Sequence, residues 1–118
     1  MTIQVTFLED DIWSVAPQGR VDTAGARSFE DALIGLFDEG HTRVVVDCTD
    51  VVYMASAGLR VLMIGLRRAK MSGGAISLAA VNPTVQQAFK MSGLDQLFAV
   101  YPGAPEAVAS LRRLSPEP

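Results

Sequence analysis

Three consecutive valines, Val44-Val45-Val46, set between Arg43 and Asp47, place the tightest constraint on how this chain can fold. Side chains along a strand point alternately to its two faces, so such a run leaves no face for solvent. The strand must therefore lie inside a covered sheet. The chain has 118 residues, about half of them apolar, and a mean hydropathy of +0.26, enough for one domain with one core. Only five Phe, two Tyr and one Trp are present, so that core is expected to be mainly aliphatic.

The flanking segments complete an α/β pattern. Residues 2–8 alternate Ile3, Val5 and Phe7 with Thr2, Gln4 and Thr6, the period of a half-buried strand. Glu9-Asp10-Asp11 forms a turn, and residues 12–17 form a second strand paired to the first as a hairpin, where Trp13 has a packing role. Asp22-Thr23-Ala24-Gly25 offers caps for a helix over 26–38, which carries Phe29, Leu33, Leu36 and Phe37 at helical spacing and closes at Gly40. The valine strand runs into a short loop, then into a helix opened by Ser56 and ended by Ser72-Gly73-Gly74. The apolar side of that helix reads as Leu59, Leu62, Met63, Leu66 and Ala69. Residues 75–80 are a strand, and Asn82-Pro83 starts a helix that reaches Met91. Residues 98–101 are a short strand and 105–114 a last helix.

The order β-β-α-β-α-β-α-β-α predicts one α/β domain over residues 1–114. Its sheet is mixed and mostly parallel, with an antiparallel N-terminal edge hairpin, right-handed crossovers and helices chiefly on one face. Residues 115–118 are expected to form a flexible tail.

Composition narrows the function. A net charge of −3 and a pI near 5.0 argue against a nucleic-acid partner. No apolar run approaches the roughly 20 residues that span a bilayer, and Met1 to Val5 lacks the features of a signal peptide. No direct membrane insertion is expected, and the location expected is cytoplasmic. Cys48, the one cysteine, reads as a buried small hydrophobe. His41, the one histidine, follows Gly40 in a turn and reads as exposed, without a role. These residues make no metal-ligand set, no nucleophile beside a base and no phosphate-cradling loop. No cofactor, no metal and no catalysis are expected.

What remains is the segment after the valine strand. It places one hydroxyl, Ser56, at the mouth of an amphipathic helix. Free backbone N–H groups and the helix dipole favour an added phosphate there. Ser56 is thus a candidate switch, although serine is also a favoured cap and that alone would explain it. Asp47 and Thr49 are expected to shape the loop through local side-chain bonds. Asp22 reads as a helix cap, Arg60 as a solvated residue and Met54 as core, each with a contact role as the alternative.

The run Asp47-x-Thr49…Met54-Ala55-Ser56-Ala57-Gly58-Leu59-Arg60-Val61-Leu62 resembles the signature of the STAS domain, the fold of bacterial anti-sigma factor antagonists. Gly19-Arg20-Val21-Asp22 is similar to the family's Gly-x-hydrophobic-Asp, and the stretch from Asn82-Pro83 to Phe98 fits its later half. The resemblance implies a partner switch. An anti-sigma factor serine kinase of the histidine-kinase-like ATPase type binds the dephosphorylated antagonist and releases its sigma factor. Phosphorylation at the position of Ser56 then abolishes the complex, and a phosphoserine phosphatase reverses it. On this resemblance Asp22, Met54, Ala55, Ser56, Ala57, Gly58, Leu59 and Arg60 make up the partner-binding segment. Many members carry Asp just before the serine, where this chain has Ala55. Either Asp22 supplies the carboxylate, or the domain is a non-switching interaction subunit of a larger assembly, such as a lipid transporter complex or a stress-sensing scaffold.

Overall fold

Asp10 and Asp11 both take positive φ, 51° and 54°, the backbone of a two-residue hairpin turn that glycine or asparagine usually supplies. They join β1 (Thr2–Glu9) to β2 (Ile12–Val21), paired antiparallel. In the computed structural model, which describes residues 1–113, the chain continues through α1 (Thr23–Asp38), β3 (Arg43–Asp47), β4 (Val51–Met54) and α2 (Ser56–Met71). It then runs through β5 (Ala75–Ala79), α3 (Pro83–Ser92), a 3-10 turn (Leu94–Gln96), β6 (Val100–Tyr101) and α4 (Ala104–Arg112). The expected end of the last helix at Leu114 and the tail expected over 115–118 lie outside the described residues.

The sheet runs β1-β2-β3-β5-β6, with β4 also on β2, and every pair except the hairpin is parallel. This is the mixed α/β sheet that the sequence predicts. All three valines of β3 are 0% exposed. Val44 and Val46 face one cluster with Phe29 and Leu33 of α1, Leu62 of α2 and Phe89 of α3. Val45 faces the other, with Ala107, Val108 and Leu111 of α4. Three helices thus cover one face and α4 the other, which accounts for the unbroken apolar run.

Strand β4 replaces the expected loop. β2 extends past the predicted end at Pro17, and its first four residues, Ile12 to Val15, are those that pair with β3. The chain bends at Gly19, where φ is 90° and the register shifts, and Gly19 to Val21 accept β4 as a new parallel neighbour. A four-residue strand is too short to show a period of its own.

Helix α2 is also turned relative to expectation. Its inner stripe is Gly58, Val61, Leu62, Gly65 and Ala69, while Met63 is 39% exposed and Leu59 and Leu66 are half-buried at the flank. A Cβ at Gly65 would stand 2.6 Å from Leu33 Cδ2, so the missing side chain lets α1 approach. Glycines add nothing apolar to the pattern, so the periodicity finds Leu62 and Ala69 but sets the face off by part of a turn, leaving Met63 outside the core.

His41 is not the isolated exposed residue expected. Its ring stacks on Trp13 at 4.5 Å between centroids, and Nδ1 lies 2.9 Å from Asp11 Oδ1, tying the helix-to-strand turn to the hairpin. Arg43, only 3% exposed, likewise donates to the carbonyls of Asp10 and Leu111 and so joins the hairpin turn to α4.

Burial, aided by the Asp47 charge, pushes the Cys48 thiol up from 9.0 to about 12. The folded state keeps a proton that the unfolded chain gives up, so this contribution is complete below pH 9 and drains away as the pH rises toward 12. Between pH 9 and 10 the native protein is expected to lose about 1 kcal/mol more than Cys48→Ala, measured by urea denaturation. Equal losses would show that the thiol has no such coupling.

Candidate functional site

Val21 and Met54 end two neighbouring parallel strands, and Ala55 N donates to Val21 O at 2.9 Å. Asp22 and Ala55 therefore leave the sheet side by side, each at the head of a helix. Asp22 Oδ1 accepts from Gly25 N at 2.9 Å and caps α1. The turn before β4 is held by Asp47, whose Oδ1 accepts from Thr49 N at 3.0 Å and Thr49 Oγ1 at 2.6 Å. Asn82 secures the other side of β4. Its Nδ2 donates to Val51 O at 2.8 Å while its Oδ1 caps α3 through Val85 N.

Helix α2 begins differently from α1. Its cap is Ala55, with φ −78° and ψ 171° and no side-chain bond, so Ser56 is the first helical residue rather than the cap. Gly58 N and Leu59 N both use the Ala55 carbonyl, at 2.9 and 3.1 Å. The amides of Ser56 and Ala57 precede any intrahelical acceptor, and the first turn carries no acidic residue. Ser56 is exposed at this electropositive end.

The other expected contact residues divide by burial. Asp22, Ser56 and Arg60 are exposed, and Ala55, Ala57 and Leu59 are half-buried. Met54 is 1% exposed and, with Gly58, belongs beneath the surface rather than on it. A Cβ at Gly58 would stand 2.6 Å from Met54 Cγ and 2.8 Å from Val21 Cγ1. The missing side chain at Gly58 lets α2 pack closely on these two residues.

Residues that the sequence reading passes over extend this surface. Val52 is 60% exposed, and the Tyr53 ring lies 4.8 Å beneath the Arg20 guanidinium, both presented by β4. Beside α2 a hollow of about 390 Å³ runs from Ser56 past Leu59, Arg60 and Met63 to Leu94 and Leu97. A more polar cleft of about 520 Å³ separates α1 from α2, and Arg60 lines both. The unpredicted strand β4 explains why Tyr53 was missed, and the turned face of α2 explains Met63.

Residues 13–101 match the family model described as "Mlab, STAS domain". BtrV of Bordetella bronchiseptica, named as an anti-sigma factor antagonist, is 32% identical over 84% of this chain and 85% of its own. A structure from Thermotoga maritima, also named for an anti-sigma factor antagonist, superposes with a TM-score of 0.87 at 22% identity, covering 94% of this chain and 95% of that one. The phosphorylated form of the Bacillus cell fate determinant SpoIIAA superposes with a TM-score of 0.76 at 18% identity, covering 94% of this chain and 100% of that one. The chain therefore belongs to the STAS domain family of anti-sigma factor antagonists, non-catalytic regulatory modules that act through exchange of protein partners.

Proposed function

We propose that this domain is an anti-sigma factor antagonist switched at Ser56. In its unmodified state it binds a serine kinase of the histidine-kinase-like ATPase type through the head of α2 and the adjoining Asp22 loop. The kinase phosphorylates Ser56, the complex dissociates, and a phosphoserine phosphatase restores the binding state, all in the cytoplasm. The observation that carries this reading is the exposed Ser56 hydroxyl on the first, uncapped turn of α2, one strand spacing from the Asp22 loop. BtrV supports it by name, and SpoIIAA exists in a phosphorylated form.

The energetics favour release over unfolding. A phosphate adds about −1.5 to −2 charges. Within the free domain the helix terminus favours it by about 0.3–1 kcal/mol. In a desolvated interface an unpaired charge costs several kcal/mol, and about 1.4 kcal/mol is tenfold in affinity. Ala55 supports a second reading, a fixed contact that is never modified, because the cap position lacks a carboxylate to assist the hydroxyl.

Incubation with ATP and lysate of the native organism, followed by phosphopeptide mass spectrometry, separates the two. Phosphate on Ser56 that is absent from Ser56→Ala is the expected result. A partner recovered from the same lysate with no phosphate on Ser56 would favour the fixed contact.

A further inference from the structure

The exposed ridge of α2 carries Ser56, Arg60, Met63, Arg67 and Lys70 at helical spacing. The hollow below Ser56 and a second one of about 200 Å³, lined by Met63, Leu66, Arg67, Lys70 and Leu97, share Met63 and Leu97 and so form one groove. Its floor is apolar, built by α2 and the 3-10 turn. Met63 and Leu97 are 39% and 47% exposed on it. Its charged lining is wholly basic: Arg60, Arg67 and Lys70, with no acidic residue on either hollow. Among the described residues none of these three cations makes an ion pair, whereas the neighbouring Arg68 is bound to Asp38 at 2.7 Å. In a chain of net charge −3 this concentration of unpaired positive charge stands apart.

We infer that this groove docks an acidic amphipathic helix of the partner. The inference rests on the proposed partner-binding role of the α2 head and extends it along the whole helix. The 16 residues of α2 run for about 24 Å, room for about four turns of a partner helix laid alongside. Leucine-type anchors enter the hollows, and carboxylates on the flank meet Arg60, Arg67 and Lys70. Methionine adapts its shape to such anchors, as Met63 can here. The apolar side chains lie in a recess between elements, which suits an inserted helix better than a flat lipid surface. The groove supplies affinity, and Ser56 at its upper end supplies control. A phosphate there stands one turn from Arg60 and competes with the partner's carboxylates for it.

The test is selection on the full chain of phage-displayed, helix-forming 16-residue peptides, with leucines fixed at i, i+4 and i+7 and the other positions random. Enriched peptides are expected to carry Glu and Asp beside the leucines. They should shift the amide resonances of Met63, Leu66, Leu94 and Leu97, and lose at least about tenfold in affinity on Arg67→Glu/Lys70→Glu. Replacing their Glu by Lys should recover binding to that double variant. Leu97→Asp, an exposed change checked for folding by circular dichroism, should abolish binding. Peptides without acidic bias, peptides that bind Leu97→Asp unchanged, stronger binding to phosphatidylserine vesicles, or self-association of the chain through the groove would each overturn the inference. The switch is judged separately by Ser56 phosphorylation. Phosphorylation without acidic-helix binding removes the groove and keeps the switch, and the converse removes the switch and keeps the groove.

Discussion

Gly74→Ala is expected to destabilise the domain by about 3 kcal/mol, the upper end of the cost of overpacking. Gly74 lies between α2 and β5, where its N donates to Ala69 O at 2.9 Å and the next amide, Ala75 N, donates to Thr42 O at 2.9 Å. A Cβ at Gly74 would stand 1.9 Å from that same Thr42 oxygen and 2.7 Å from the Thr42 carbonyl carbon. Backbone cannot rotate away as a side-chain tip can. Thr42 leads into β3, whose pairing with β5 begins at Arg43 opposite Ala75, so relief of the clash opens the centre of the sheet. Gly73→Ala is the control. That site has open space around it but φ of 73°, which costs an alanine about 1 kcal/mol through backbone strain alone. Guanidinium denaturation of the two variants should order them with Gly74→Ala clearly the weaker. The reverse order would mean that the β3–β5 junction yields more readily than its hydrogen bonds imply.

The same residues show what a sequence makes legible. The triple valine announces a doubly covered strand because hydropathy reports burial directly, and all three valines are buried. Asn82-Pro83 announces a helix start because cap and proline chemistry is local, and Asn82 caps α3. Features that depend on what a residue lacks are harder to see. Gly58 and Gly65 define the inner stripe of α2 by the space they leave for Met54 and Leu33, and a hydropathy pattern counts them as neutral. The face is consequently misread by part of a turn, and Met63 moves from core to groove. Nonlocal pairing is hidden as well. β4 exists because β2 outruns β3, a relation between segments distant in sequence, Gly19 to Val21 and Val51 to Met54, that no window of residues contains. His41 finds Trp13 and Asp11 through the same kind of distant contact. At the candidate site the serine, its helix and the nearby Asp22 could be read from the sequence. The cap at Ala55, the buried places of Met54 and Gly58, and the exposed Tyr53 came from packing.

Ser56→Glu is expected to weaken the kinase complex by about a hundredfold or more while leaving the free domain as stable as before or slightly more so. The two effects have opposite sign because one carboxylate meets two environments. In the free domain it sits exposed on the first turn of α2, where the amides of Ser56 and Ala57 are open and the dipole contributes about 0.3–1 kcal/mol in its favour. In the complex the same charge is desolvated against the partner. Ala55→Asp separates these terms further. It gives α2 the side-chain cap it lacks and should stabilise the domain by about 1 kcal/mol. Its carboxylate is held by the helix amides one residue before the exposed ridge, so it should cost the complex less than Ser56→Glu does. Calorimetric titration of a kinase purified on the wild-type chain, with thermal melts of each variant, measures both quantities. Loss of binding by Ser56→Glu, with its melting temperature held, identifies Ser56 as a contact whose charge decides the complex. Retained binding by Ser56→Glu would place the partner elsewhere on the domain and make Ser56 no more than the first residue of its helix.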